Sequence, residues 1–284
     1  MTQNKDNIQI DVDRAWNSLY ARLENDRLLT GETRLLPPQQ NRRILFRWTA
    51  IAAAVCAGFF LSVFYFPRNS GQALIVLQNT ENSGTLVATL ADGSTVYLES
   101  NASISYPSAF EASQRKVELN GNALFCVTKD EKRPFVITTD EKITIEVVGT
   151  IFAIRSSPET SFELSVKQGK VNVHSQDNQT KIPVEAGETV QLNAGGLSKF
   201  QTANIRVFSR FTDKMCFKDE KLNHIVHAIN TIHGSPTIIA DESLNNRTLT
   251  VTFEDSSVET MTELICLALN LEQINQQDTI FIRK

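Results

Sequence analysis

Leu90-Ala91-Asp92-Gly93-Ser94-Thr95-Val96-Tyr97-Leu98 reads as a tight turn feeding a short strand. Glycine tolerates positive φ, and an aspartate before it can bond back to its own backbone, so Asp92-Gly93 is turn chemistry. Val96 and Leu98 then alternate with the period of a half-buried strand. The same grammar extends outward through Val117/Leu119, Phe135/Ile137, Ile143/Ile145/Val147, Phe162/Leu164/Val166 and Val171/Val173. Asn120-Gly121, Gln168-Gly169, Asp177-Asn178 and Ala186-Gly187 punctuate these runs. Many short strands with hardly any helical period, from about Leu86 to Leu192, predict a β-sandwich, barrel or β-roll.

From about Lys214 the period changes. Leu222, Ile225, Val226, Ile229 and Ile232 mark a helix, and Val258, Met261, Leu264, Ile265 and Leu269 a second. Thr237-Ile238-Ile239, Leu249/Val251/Phe253 and Ile280/Ile282 read as strands. Phe217-x-Asp219-x-x-Leu222-x-x-Ile225 recurs as Phe253-x-Asp255-x-x-Val258-x-x-Met261, an internal repeat. Two small βαβ units with a hairpin between them are expected, with Phe217 and Phe253 in the core. Ser256 and Glu259 fit a capping box for the second helix. The fold class is therefore mostly β with an α+β C-terminal domain.

Toward the N-terminus, every residue from Trp48 to Phe66 is uncharged. With Ile44 to Phe46 this stretch is long enough, at about 1.5 Å per residue, to cross a hydrocarbon core of about 30 Å. Trp48 and Tyr65 stand where amphipathic rings prefer the headgroups. Arg34, Arg42, Arg43 and Arg47 crowd the N-terminal flank, whereas Arg68 is followed by no lysine or arginine until Arg115. The positive-inside rule assigns residues 1–43 to the cytoplasm. In that tail Asp11 can cap a helix from about Val12 to Leu28, and Pro37-Pro38 then breaks the chain. Val12, Trp16, Leu19, Tyr20 and Leu23 form one apolar stripe on it. A lone helix of this length is marginal in water, so the stripe is the candidate partner-binding surface.

A net charge of −4 gives no nucleic-acid footprint. Phosphate-loop, dinucleotide, nucleophile-elbow and zinc-protease motifs are all missing, so no catalytic, cofactor-binding or metal-ligating residue is assigned. His224, His227 and His233 do not converge on a helix of 3.6 residues per turn. The four cysteines show no ligand spacing, and whether Cys216 pairs with Cys266 is left open by spacing alone. Residue patterns leave two classes: a regulator whose tail holds a partner, or a membrane-anchored periplasmic scaffold or adhesion protein.

The stretch Leu90 to Asn101, followed by Tyr106-Pro107, resembles the opening of the FecR domain. The likeness continues through Arg115-Lys116-Val117-Glu118-Leu119-Asn120-Gly121, Phe125 and Arg133-Pro134-Phe135. It closes with Val148-Gly149-Thr150-Ile151-Phe152 and Val166-x-x-Gly169-x-Val171-x-Val173. Ala153 departs from the family's usual Asn, Cys126 and Asn122 from frequent acidic residues, and Glu185-Ala186-Gly187 from a Pro-Gly turn; these read as turn and surface variation. The C-terminal half resembles the domain that accompanies FecR domains in Bacteroidetes, and is similar to the secretin and TonB short N-terminal fold. The resemblance implies an inner-membrane anti-sigma factor with a periplasmic C-terminus. Its implied partners are an extracytoplasmic-function sigma factor, the signalling domain of a TonB-dependent outer-membrane transporter, and intramembrane and periplasmic proteases. The expected organisation is a tail over 1–43, a transmembrane helix over 44–66 and a linker over 67–84. A FecR domain over 85–197, a linker over 198–212 and a docking domain over 213–284 follow.

Overall fold

A computed structural model describes residues 11–26, 73–80, 84–157, 160–175, 181–204 and 206–284. The expected span over 44–66 and the flanking Arg42, Arg43 and Arg47 lie outside the described residues. Among the described residues no helix is long and apolar enough to cross a membrane. Contacts divide the chain into two units, residues 1–69 and residues 70–284.

In the first unit, helix α1 spans Val12–Asn25. Asp11 is its N-cap, with Oδ1 accepting from Arg14 N at 3.0 Å, and Asp26 closes it. The helix stops short of the expected Leu28, and residues 27 and 28 are not among those described.

The second unit begins with strands β1 (Leu74–Gln78), β2 (Thr85–Thr89), β3 (Thr95–Leu98), β4 (Ser103–Pro107), β5 (Arg115–Asn120) and β6 (Ala123–Cys126). Next come β7 (Phe135–Thr139), β8 (Ile143–Val147), β9 (Ile151–Ser157), β10 (Thr160–Gln168) and β11 (Lys170–Ser175). β12 (Lys181–Glu185), β13 (Glu188–Asn193) and β14 (Gly196–Gln201) complete the β-rich half. A helical turn α2 (Arg206–Ser209) then leads to β15 (Lys214–Lys221), α3 (Leu222–His233), β16 (Thr237–Ala240), β17 (Thr248–Glu254), α4 (Val258–Leu269), β18 (Glu272–Gln276) and β19 (Thr279–Arg283). The stretch 198–212 thus carries the end of β14 and α2.

Two sheets face each other as a sandwich. One has the order β1-β4-β5-β7-β8-β11-β12; the other runs β14-β13-β10-β9-β6-β3-β2-β15-β17. Their inner faces share a core that includes Val96, Leu98, Ile104, Val117, Phe125, Phe135, Phe152 and Leu164. This is the shared inner core of a β-sandwich. At Gly121, φ is +90°, and an added Cβ would lie 2.9 Å from Ala102 Cα, so the Asn120-Gly121 turn needs glycine.

The second sheet does not stop where the β-rich half ends. β2 pairs in parallel with β15 through Met215↔Thr85, Cys216↔Leu86 and Phe217↔Val87. β15 in turn pairs antiparallel with β17. A third sheet, β16-β19-β18, completes the C-terminal half. The strand-helix-strand order of the repeat is present, but no hairpin joins its copies. β16 and β17 lie in different sheets, connected through a 3-10 turn at Glu242–Leu244, and the hairpin is β18-β19. Pairing like strands of the two copies, β15 with β17, buries Phe217 against Phe253 with ring centroids 5.9 Å apart, so both phenylalanines are core. Asp219 and Asp255, equivalent in the repeat, both take positive φ, at 50° and 46°. Aspartate tolerates that region better than most side chains. The α4 cap is Ser257 rather than Ser256: its hydroxyl accepts from Thr260 N at 3.2 Å, while Ser256 Oγ donates to Glu254 O.

Candidate functional site

On α1 the expected partner-binding residues fall on one face. Val12, Trp16, Leu19 and Tyr20 are exposed, Trp16 at 62 %, and Leu23 is half-buried. No residue of this helix is buried. Spacings of four, three, one and three residues keep all five within one stripe, the pattern of a helix made to lie in an apolar groove.

In the second unit the family-like residues build a buried polar strut. Arg115, 1 % exposed, donates from Nη1 to Asp92 Oδ2 at 2.7 Å and to Thr128 O at 2.9 Å, and from Nε to Arg133 O at 2.8 Å. Its guanidinium stands 5.4 Å from the centroid of the Phe135 ring. Asp92 also accepts from Ser94 N and Ser94 Oγ. A buried arginine is tolerable only when so held, and losing one partner strands the charge. Asp130 accepts from Lys132 N, Arg133 N and Arg133 Nε, the last at 2.8 Å. The Arg133 side-chain bond is the main reason its carboxyl titrates below the ordinary 3.8. These side chains hold one another and face no reacting group.

The outer face of the nine-stranded sheet corrects one expectation. A row in register crosses it: Phe200, Thr189, Ser165, Ala153, Leu124, Tyr97, Val87, Phe217 and Val251. From Ala153 to Phe217 this row is buried and forms one core with Ile225, Ala228 and Ile229 of α3. Tyr97 Oη donates to Ala228 O at 3.0 Å. Ala153 and Cys126 are therefore joint residues, not surface variation: a polar or acidic side chain there would be buried against the C-terminal half. Burial pushes the Cys126 thiol up to about 12. Asn122 also does structural service, its Oδ1 accepting from Ser156 N and its Nδ2 donating to Glu99. Reading alternation alone hides these positions. The uninterrupted apolar runs Val96-Tyr97-Leu98 and Leu124-Phe125-Cys126 were the available signal, since a strand covered on both faces has no polar side.

On the three-stranded sheet, Ile239, Phe281 and Ile274 pair across the outer face and border a cleft of about 340 Å³. Ile239 is exposed, and Phe281 and Ile274 are half-buried. This apolar row was not singled out from the sequence, although the run Ile280-Phe281-Ile282 could have flagged it.

The expected histidines stay apart in role. His224 Nδ1 lies 2.6 Å from Glu220 Oε1, His227 is exposed and His233 ends α3. Among the described residues no cluster could hold a metal ion. Cys126, Cys216 and Cys266 are free thiols, so Cys216 and Cys266 are not bridged.

Residues 78–189 match the family described as FecR protein. No curated protein matches the chain. Two crystal structures of a proposed anti-sigma factor from Parabacteroides distasonis ATCC 8503, at 2.50 Å and 1.65 Å resolution, are similar at 21 % identity. Each covers 75 % of this chain and 99 % of its own, with TM-scores of 0.46 and 0.45. The matched segment contains the Asp92–Arg115 strut and most strands of the sandwich, so residues 78–189 of this chain are similar to a FecR domain.

Proposed function

We propose that this protein is a single-pass inner-membrane anti-sigma factor. Its N-terminal tail binds an extracytoplasmic-function sigma factor in the cytoplasm, and its periplasmic FecR and C-terminal halves receive a signal from a TonB-dependent outer-membrane transporter. The observation that carries this reading is α1: a capped helix with an uncovered, tryptophan-centred stripe, on a chain whose residues 78–189 are similar to a FecR domain. A mere topology signal has no use for such a stripe. The arginine-flanked apolar segment from Trp48 to Phe66 supports the orientation. The Ile239–Phe281–Ile274 row supports a docking role for the C-terminal half.

One membrane helix is a poor conveyor of rotation, so release of the tail by stepwise proteolysis is the proposed route to a free sigma factor. Undiminished induction by a chain that stays intact would exclude that route. The primary test is binding of the full chain, in detergent, to a candidate extracytoplasmic-function sigma factor from the same organism. Trp16→Ala is expected to weaken binding by about 2 kcal/mol or more, the scale of a hot-spot aromatic. Equal affinity of wild type and variant would remove α1 from the interface, and no binding by either would favour a periplasmic scaffold.

A further inference from the structure

The row across the nine-stranded sheet continues beyond Ala153 into polar territory. Ser165 and Thr189, 2 % and 3 % exposed, form the floor of a cleft of about 440 Å³ whose other wall includes Thr202, Asn204, Arg206, Val207 and Arg210. That volume lies within the range of small-molecule sites, about 300–1,000 Å³. Ser165 Oγ, Thr189 Oγ1 and Thr202 Oγ1 make a chain of hydroxyls 2.8 Å apart at each step. Three hydroxyl protons serve two bonds within this chain, so one donor is left over.

The walls add more donors than acceptors. Arg155 has its Nε buried without a partner, while its Nη1 forms an ion pair at 3.6 Å with Glu163, whose carboxylate also lines the cleft. Arg206 makes no ion pair among the described residues, whereas Arg210 is occupied by Glu99 at 2.5 Å. A guanidinium offers only donors, and a buried N–H with no acceptor is costly. An incoming oxyanion would supply the missing acceptor and match the planar guanidinium geometry.

We propose that this cleft binds a small oxyanion of carboxylate or sulfate type, with Arg155 and Arg206 as the charged donors and the Ser165–Thr189–Thr202 chain as the neutral one. The site is independent of the sigma-factor reading, since it lies wholly in the second unit. The test is calorimetric titration of the full chain in detergent with sodium sulfate and, separately, sodium acetate, against chloride at matched ionic strength. Saturable binding of at least one anion is expected, weakened at least tenfold in Arg206→Gln; which anion binds identifies the class. Arg206 is exposed, so the variant should fold, and its circular dichroism spectrum checks this. No saturable heat with either anion, or equal affinity in wild type and Arg206→Gln, would overturn the proposal.

Discussion

Ala153 shows how a family departure acquires a physical reason. It lies opposite both Leu124 and Ser165 on the outer face, 1 % exposed, within the core shared with α3. Restoring the family's asparagine buries an amide among aliphatic side chains, at a cost of about 1–3 kcal/mol. Ala153→Asn should therefore lower the urea midpoint with little change in slope; an unchanged midpoint would mean the joint yields to admit the amide. Asp130 governs a different limb of stability. Because its carboxyl titrates below 3.8 in the folded state, its contribution is complete above that pH and disappears as pH falls through the lowered value. Asp130→Asn should flatten the part of the acid-unfolding curve at and below about pH 3.8 and leave the neutral baseline's shape unaltered, as followed by circular dichroism. The strut at Arg115 was visible in the sequence only as a string of family-like residues. Asp92 and Arg115 are separated by two strands' worth of chain, and nothing local says that their side chains meet.

Elements with short-range causes were the legible ones. Helix α1 follows from Asp11 and a stripe within fourteen residues. Replacing the cap, Asp11→Ala, should cost about 1 kcal/mol of helix stability, seen as reduced helicity in a peptide spanning residues 1–43; unchanged helicity would show the cap bond to be dispensable. The strands of the sandwich were likewise announced by alternation and by turns such as Asp92-Gly93 and Asn120-Gly121. The β2–β15 ladder was not. It joins segments more than a hundred residues apart, and non-local parallel pairing leaves no periodic mark on either strand. The hairpin expected between the repeat copies failed for a related reason: like strands of the two copies pair with each other, so β16 leaves for another sheet. Of the candidate sites, the α1 stripe was readable because it is one helix face; the hydroxyl floor at Ser165 and Thr189 was not, because it exists only once β10 and β13 lie side by side.

At the scale of the molecule, one sheet and one core run through both halves of residues 70–284, so they should unfold together. Leu124 sits at the junction, 1 % exposed. Truncating it, Leu124→Ala, should cost about 2–5 kcal/mol and accelerate amide hydrogen exchange in β7 and β8 as much as in α3. Loss of protection confined to α3, β16 and α4 would show two separately folding halves. β1 presents the opposite case. It is an edge strand, held only by β4 over five residue pairs from Leu74↔Pro107 to Gln78↔Ser103, and its outward Leu74 and Val76 are exposed. It is also the first strand after residue 70, so any tension applied to the chain from its N-terminal side loads this single ladder before it reaches another strand. A pull of that kind would meet the sandwich at this edge: β1 would peel away first, and Ile104 and Tyr106 would lose the cover of Ile75 and Leu77. Under such a load β1 would serve as a mechanical fuse.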